Sequence, residues 1–282
     1  MNERSLSTTT RATVPIHRRA TLWDRLLEPV LGVNACFIYV FLYMPIVVLI
    51  AFSFSASPFS AVWGGFSIDW YIQLFQDSEI ARALRNTLIV ASFSMLFATI
   101  IGTMTALALS KFQFRGRNAF ETTLNLPIVI PDIVQGISLL MFLVLVVHLA
   151  LGLPTIIIAH TVFNISYVAV IVRARLHGFD RRLEEAAMDL GATEWQTFWK
   201  ITFPLIWPGI LSGALLAFTL SLDEFVVTFF VTGPGATTLP IQVYSMVKRG
   251  VTPEINALAT LMLVASILLV TLSILLQRRR SS

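Results

Sequence analysis

The segment from Asp180 to Pro204, DRRLEEAAMDLGATEWQTFWKITFP, is charged and helix-forming, yet it lies between two long apolar runs. Asp180 is placed to cap a first helix whose body runs from Arg181 to Leu190, and Gly191 suits the left-handed position that closes a helix. Thr193 and Gln196 have the spacing of a capping box for a second helix, expected to end before Pro204. Two helices joined by a glycine turn make a compact knob. Small Ala186 and Ala187, bordered by Glu184, Glu185 and Asp189, leave a surface that another protein can approach closely while charges guide docking. The same pattern also fits a solvated amphipathic loop.

Working outward, the chain of 282 residues is 56% hydrophobic and only 13% charged, too little polar surface to close around a soluble core. It reads as an all-α, polytopic membrane protein. Apolar windows long enough to cross hydrocarbon as helices fall near 35–54, 86–110, 120–147, 154–172, 205–232 and 255–276, which predicts six spans. Residues 1–34 read as a cytoplasmic tail, 35–276 as the transmembrane domain with a cytoplasmic loop at 173–204, and 277–282 as a basic terminus. The first span is expected to stay as an anchor, with no cleavage. Cys36, the one cysteine, excludes an internal disulfide and is expected as a buried, inert thiol.

All twenty lysines and arginines except Arg82, Arg85, Lys248 and Arg249 fall in segments that lie on one side if the N-terminus is inside, which puts both termini in the cytoplasm. Scattered among short loops, these charges do not form a nucleic-acid surface. No Gly-Lys pair occurs, so the chain lacks a phosphate-binding loop for ATP. No Cys/His set has zinc spacing, and no nucleophilic triad is apparent.

Ionisable groups inside spans are costly and therefore functional candidates. Beyond Glu121 at the edge of the third window, they are Asp132, Asp223, Glu224 and His160, with no Lys or Arg, an inventory that favours a cation. Pro127 and Pro131 are expected to kink or break the third span beside Asp132, either as an ordinary packed kink or to line a path. Asp223 lies about 18 residues, or about 27 Å of helix, from the inner end of span five. His160, Asn164 and Tyr167 form a polar stripe on span four, read either as packing or as substrate contacts, with the Tyr167 ring available to an amine. The loop 55–85, with Trp63, Trp70 and Tyr71, is expected to lie along the membrane interface.

The run E-A-A at Glu185, then Gly191, Ile201 and Pro204, resembles the loop signature of bacterial ABC importer permeases, with Phe203 where the pattern has Leu. Ser221-Leu222-Asp223-Glu224, Val231-Thr232-Gly233-Pro234, Tyr244-Ser245-Met246-Val247-Lys248 and Asn256-Ala257-Leu258-Ala259-Thr260 look like the second permease of spermidine/putrescine importers, with Glu224 where that family usually has a second aspartate. The resemblance runs from about residue 35 to 276. It implies a type I importer permease fold in the inner membrane, with Glu184, Glu185, Ala186, Ala187, Asp189, Gly191 and Pro204 in the loop that seats in an ATPase. It implies as partners a second homologous permease, two ATPase subunits that bind ATP and Mg, and an extracytoplasmic binding protein, with no cofactor in this chain. Cargoes other than polyamine, such as thiamine, ferric iron or amino-acid derivatives, fit the same importer class. Buried carboxylates and broken helices also suit an ion-coupled secondary transporter, which leaves the knob without a role, or an intramembrane enzyme, for which no nucleophile is evident.

Overall fold

A computed structural model describes residues 22–59, 62–180, 182–250 and 252–278; residues 1–21 of the expected tail and 279–282 of the basic terminus lie outside the described residues. The described chain is helical, its one extended pairing being an isolated antiparallel bridge between Ser55 and Phe66. The helices are α1 (Leu22–Phe52), α2 (Asp69–Gln76), α3 (Ser78–Lys111), α4 (Arg117–Val129), α5 (Asp132–Met141), α6 (Leu153–His177), α7 (Arg182–Asp189), α8 (Glu194–Thr197), α9 (Phe203–Asp223), α10 (Val226–Val231), α11 (Leu239–Arg249) and α12 (Pro253–Arg278). Pro29–Phe52, Ser78–Lys111, Leu153–His177 and Glu194–Asp223 are long and apolar enough to cross a membrane. The bent pair Arg117–Val129 and Asp132–Val146 makes a fifth, and the sixth expected window falls on α12, whose apolar stretch Pro253–Leu268 is shorter.

The chain divides into two units at Phe52. The first is α1, whose side chains from Val30 to Met44 are exposed; Cys36 is among them, so the expectation of a buried thiol fails because this helix presents its apolar side chains outward on all sides.

In the second unit α3, α6 and α9 form the central bundle, with Ala98, Ala106, Val168, Val172, Ile206 and Ala217 buried at their contacts. Lipid is as apolar as these side chains, so close van der Waals packing of small residues, not hydrophobic transfer, holds such helices together. At one end of this bundle α2, the start of α3, α11 and the start of α12 share a second core around Leu74, Ile80, Leu239, Met246 and Leu258. Trp70 and Tyr71 face that core: the Trp70 indole donates to the Ser55 carbonyl at 2.7 Å, and the Tyr71 hydroxyl pairs with Ser53 at 2.7 Å. The 55–85 loop is thus a folded layer, and these two aromatics fasten it to protein.

Two spans break. Between α4 and α5 the chain turns by 113°, with Ile130 and Pro131 both extended. Pro131 forces this, because its ring excludes the helical conformation for the residue before it; Pro127 stays inside α4. The second break was not expected. The window 205–232 reads as one apolar run, yet α9 stops at Asp223 and Glu224 is extended before α10 begins. With neither Pro nor Gly there, the restart comes from Glu224 itself, whose carboxylate accepts the Val227 N–H at 2.8 Å.

Candidate functional site

The knob is built from local signals. Asp180 accepts the Arg182 N–H at 3.0 Å. At the other end of α7, Gly191 adopts φ +88°. Its N–H bonds to Met188 O at 2.9 Å and the Ala192 N–H to Ala187 O at 3.0 Å, the paired bonds of a Schellman closure. Thr193 and Gln196 make the reciprocal capping box. The second expected helix does not end before Pro204, however. After α8 the chain runs through one wide π turn, Phe198–Thr202, directly into α9, where Pro204 sits in the first turn. Proline is tolerated in a first helical turn because no intrahelical donor is needed there. The knob is therefore one short helix, α7, followed by a segment, α8 and its π turn, that is continuous with the root of a membrane span.

Glu185, Ala186 and Asp189 are exposed on α7, Ala187 is partly covered, and Gly191 is open. Apolar groups that sequence reasoning passed over stand among them: Leu190 is 91% exposed and Trp195 70%, with Leu183 and Met188 each a little under half exposed. Exposed leucine and tryptophan in a charged loop were the available signal. Glu184 does not face outward. Its carboxylate pairs with the Lys111 ammonium of α3 at 2.7 Å and accepts the Thr202 hydroxyl at the root of α9, and the side chain is only 13% exposed. Nearby, Arg173 of α6 pairs with Glu121 of α4. Glu184 thus fastens α7 to two core spans at once.

At the opposite end of α9 the two chain breaks bring three carboxylates together. Asp132 opens α5, Asp223 closes α9 and Glu224 occupies the gap before α10, with Asp132 and Asp223 both within electrostatic range of Glu224. Gly136 makes this approach possible: a Cβ there would stand 2.7 Å from the Phe230 ring and 3.3 Å from Val227 Cα, so α10 lies directly on α5 one turn beyond Asp132. The negative ends of α4 and α9 terminate at the same breaks. No Lys or Arg occurs between Arg117 and Arg173 or between Lys200 and Lys248, so nothing in those stretches neutralises the cluster.

The polar stripe of α6 separates into three situations. His160, 1% exposed, bonds through Nδ1 to Ser221 at 2.5 Å and through Nε2 to Thr228 at 2.7 Å. Ser221 also meets Ser94 of α3 at 2.9 Å, and the Thr228 hydroxyl donates to the Glu224 carbonyl at 2.9 Å. His160 is a frame residue that fixes the backbone on both sides of the Asp223–Glu224 break. Asn164, one turn on, is fully buried with both amide atoms unpartnered among the described residues. Tyr167, half-buried, lies two turns from His160 toward the knob. The structure therefore gathers Asp132, Asp223 and Glu224, ties His160 to their support, and leaves Asn164 and Tyr167 farther along α6.

The family described as binding-protein-dependent transport system inner membrane component matches residues 98–280. The putrescine transport system permease protein PotI of Escherichia coli is 48% identical over 232 residues, covering 80% of this chain and 82% of its own length. The spermidine/putrescine transport system permease protein PotC of Haemophilus influenzae is 44% identical over 244 residues, covering 86% and 95%. Among solved structures, a chain of a bacterial ABC transporter involved in the import of the acidic polysaccharide alginate superposes with a TM-score of 0.71 at 23% identity, over 91% of this chain and 96% of that one, which establishes the shared fold. With its long apolar helices and these matches, the chain is a multi-pass, non-enzymatic permease subunit and belongs to the family of binding-protein-dependent transport system inner membrane components.

Proposed function

We propose that this chain is one of two permease subunits of an ATP-driven importer that carries a polyamine, putrescine or spermidine, across the inner membrane. The observation that carries the cargo assignment is the carboxylate cluster at the two broken spans, uncompensated by any nearby cation in sequence, and the names of the related permeases agree with it. A path lined with Asp132, Asp223 and Glu224 attracts a compact polycation and repels an anion. In this reading the chain spans the membrane six times, with both termini and the knob on the cytoplasmic side. Its partners are a second homologous permease, two ATPase subunits that bind ATP and Mg, and an extracytoplasmic binding protein that delivers cargo.

The mechanism follows from how the two sites are joined. Glu185, Ala186, Asp189 and the exposed Leu190 offer the ATPase a mixed acidic and apolar face. Movement of α7 passes through the Glu184 tether to Lys111 and Thr202, and so to α3 and α9. Helix α9 is a lever of about 30 Å, at 1.5 Å per residue, whose far end is Asp223. Shifting it redirects the carboxylates between the two faces of the membrane. The test is ATPase activity and uptake by the whole complex in liposomes with its binding protein, titrated with spermidine, putrescine, thiamine and ferric iron. Polyamine-stimulated hydrolysis with matching uptake is expected; stimulation by another solute alone replaces the cargo, and uptake without ATP overturns the importer mechanism.

A further inference from the structure

Three spans end around one charged cavity that the transport reading has not used. Helix α3 closes at Lys111, α4 opens at Arg117 and α6 closes at His177. Between these ends lies an open cavity of about 400 Å³, whose walls carry Lys111, Arg117, Arg173 and His177 against one carboxylate, Glu184. Lys111 pairs with that carboxylate, and Arg173 pairs with Glu121 just outside the walls. Arg117, partly buried, makes no ion pair among the described residues. Three permanent cations thus face two acids, and the unpaired charge is a guanidinium in the cavity wall. The cavity borders a second feature. Immediately after Lys111 the chain exposes Phe112 and Phe114, turns back at Gly116 with φ +88°, and exposes Phe120 on the first turns of α4, with Phe114 and Phe120 edge-on at 6.3 Å. Exposed aromatics beside cations at span ends match the bilayer interface, where rings settle at the headgroup level and Lys or Arg meets lipid phosphate.

We propose that this cavity binds the phosphate of an anionic membrane lipid, with Arg117 as the principal contact and Lys111 and Arg173 on either side of it. The planar guanidinium offers two parallel N–H donors to a phosphate, which makes Arg117 more than a point charge. A free anion has no use for the aromatic elbow; a lipid does, because its acyl chains continue over Phe112, Phe114 and Phe120 into hydrocarbon. One headgroup in this place joins the ends of α3, α4 and α6 and lies beside the Lys111–Glu184 tether that holds α7. The site is independent of the cargo.

The experiment is native mass spectrometry of the purified permease–ATPase complex, titrated with phosphatidylglycerol or phosphatidylcholine to give dissociation constants for each bound lipid. Wild type is expected to hold phosphatidylglycerol at least about fivefold more tightly than phosphatidylcholine, and Arg117→Gln to weaken the phosphatidylglycerol constant about fivefold, the effect of one cation at a membrane surface. Arg115→Gln removes an exposed cation from the same link that is not in the cavity wall, and it should leave the constant unchanged. An equal loss in both variants means diffuse attraction by a basic surface and overturns the site. Arg117→Lys should fall between wild type and Arg117→Gln, since it keeps the charge without the planar fork. Glycerol 3-phosphate and inorganic phosphate should fail to displace the lipid; displacement by either makes this a soluble-anion site and overturns the lipid assignment. Equal affinity of wild type for the two lipids also overturns the proposal, and that comparison stands even if Arg117→Gln fails to assemble.

Discussion

The knob at one end of α9 and the carboxylate cluster at the other are, in the proposed mechanism, parts of one lever, but they are stabilised in opposite ways. The knob is held by short-range devices: an aspartate cap, a glycine closure and a capping box, all within 25 residues, with Glu184 tethering it to distant chain. The cluster has almost no local scaffold. Asp132 and Glu224 are 92 positions apart, and they meet because a proline break, a glycine crossing and the His160–Ser221–Thr228 frame hold the interrupted helices in place. A surface that must be grasped and released is well served by a free helix with exposed charge. A site that must change its facing without unfolding needs breaks that are rigidly framed on each side.

The strongest way to break this contrast is to reverse the docking charge. Glu185→Arg places a cation on an exposed acidic face while touching none of the tethers, so insertion should be normal. Co-purification of the ATPase and uptake should fall by at least about a hundredfold, the scale of a like-charge mismatch at an interface core. Undiminished ATPase binding would return the loop to the status of a solvated surface. At the other end, Asp223→Asn removes one charge from the cluster and leaves the complex intact; uptake of putrescine should drop roughly tenfold, the effect of losing one charge contact in a water-poor path. Normal uptake with an intact complex would make Asp223 a packing residue.

The tether lies between these extremes. Glu184→Gln and Lys111→Met should leave ATPase binding in place, because Glu184 is turned toward Lys111 and Thr202 and away from the proposed docking face. Cargo carried per ATP hydrolysed should fall about threefold, in keeping with the loss of one partly shielded ion pair. The exchange Lys111→Glu with Glu184→Lys should recover part of that ratio. Equal losses of hydrolysis and uptake, with no recovery by the exchange, would mean that Glu184 supports assembly alone.

The same contrast governs how much the residues alone disclose. Asp180, Gly191, Thr193 and Gln196 act on neighbours one turn away, so the knob's outline was legible down to its hydrogen bonds. The Pro131 break was legible for the same reason. The inward turn of Glu184 was not, since an E-E-A-A run gives no sign of which glutamate faces Lys111, 73 positions earlier. Nor was the break at Glu224: the residues from 205 to 232 have the composition of a continuous span, and the Glu224 bond to Val227, with the bonds of Thr228, His160 and Ser221 around the gap, is visible only in the folded chain. The stripe on α6 shows the limit most plainly, because equal spacing gave His160 and Asn164 equal standing, whereas three-dimensional packing satisfies one and leaves the other unpartnered.

The smallest expected effect isolates the local half of the contrast. At Gly191 the backbone φ is +88°, while a Cβ built there meets nothing within 4 Å. Any penalty for a side chain is therefore conformational and not steric. Gly191→Ala should cost about 1 kcal/mol, the usual strain of a left-handed alanine, and Gly191→Asn less, because asparagine tolerates that region. The reading is amide exchange at Leu190, Gly191 and Ala192 in the intact complex, with the Schellman bonds opening about fivefold more often in Gly191→Ala and by an intermediate factor in Gly191→Asn. Exchange in α9 and around Asp223 should not change, since no contact of the carboxylate frame passes through Gly191. An equal rise in exchange at both ends of α9 would mean that the knob's closure and the distant frame are one cooperative unit, and the separation drawn between the local knob and the tertiary cluster would fall.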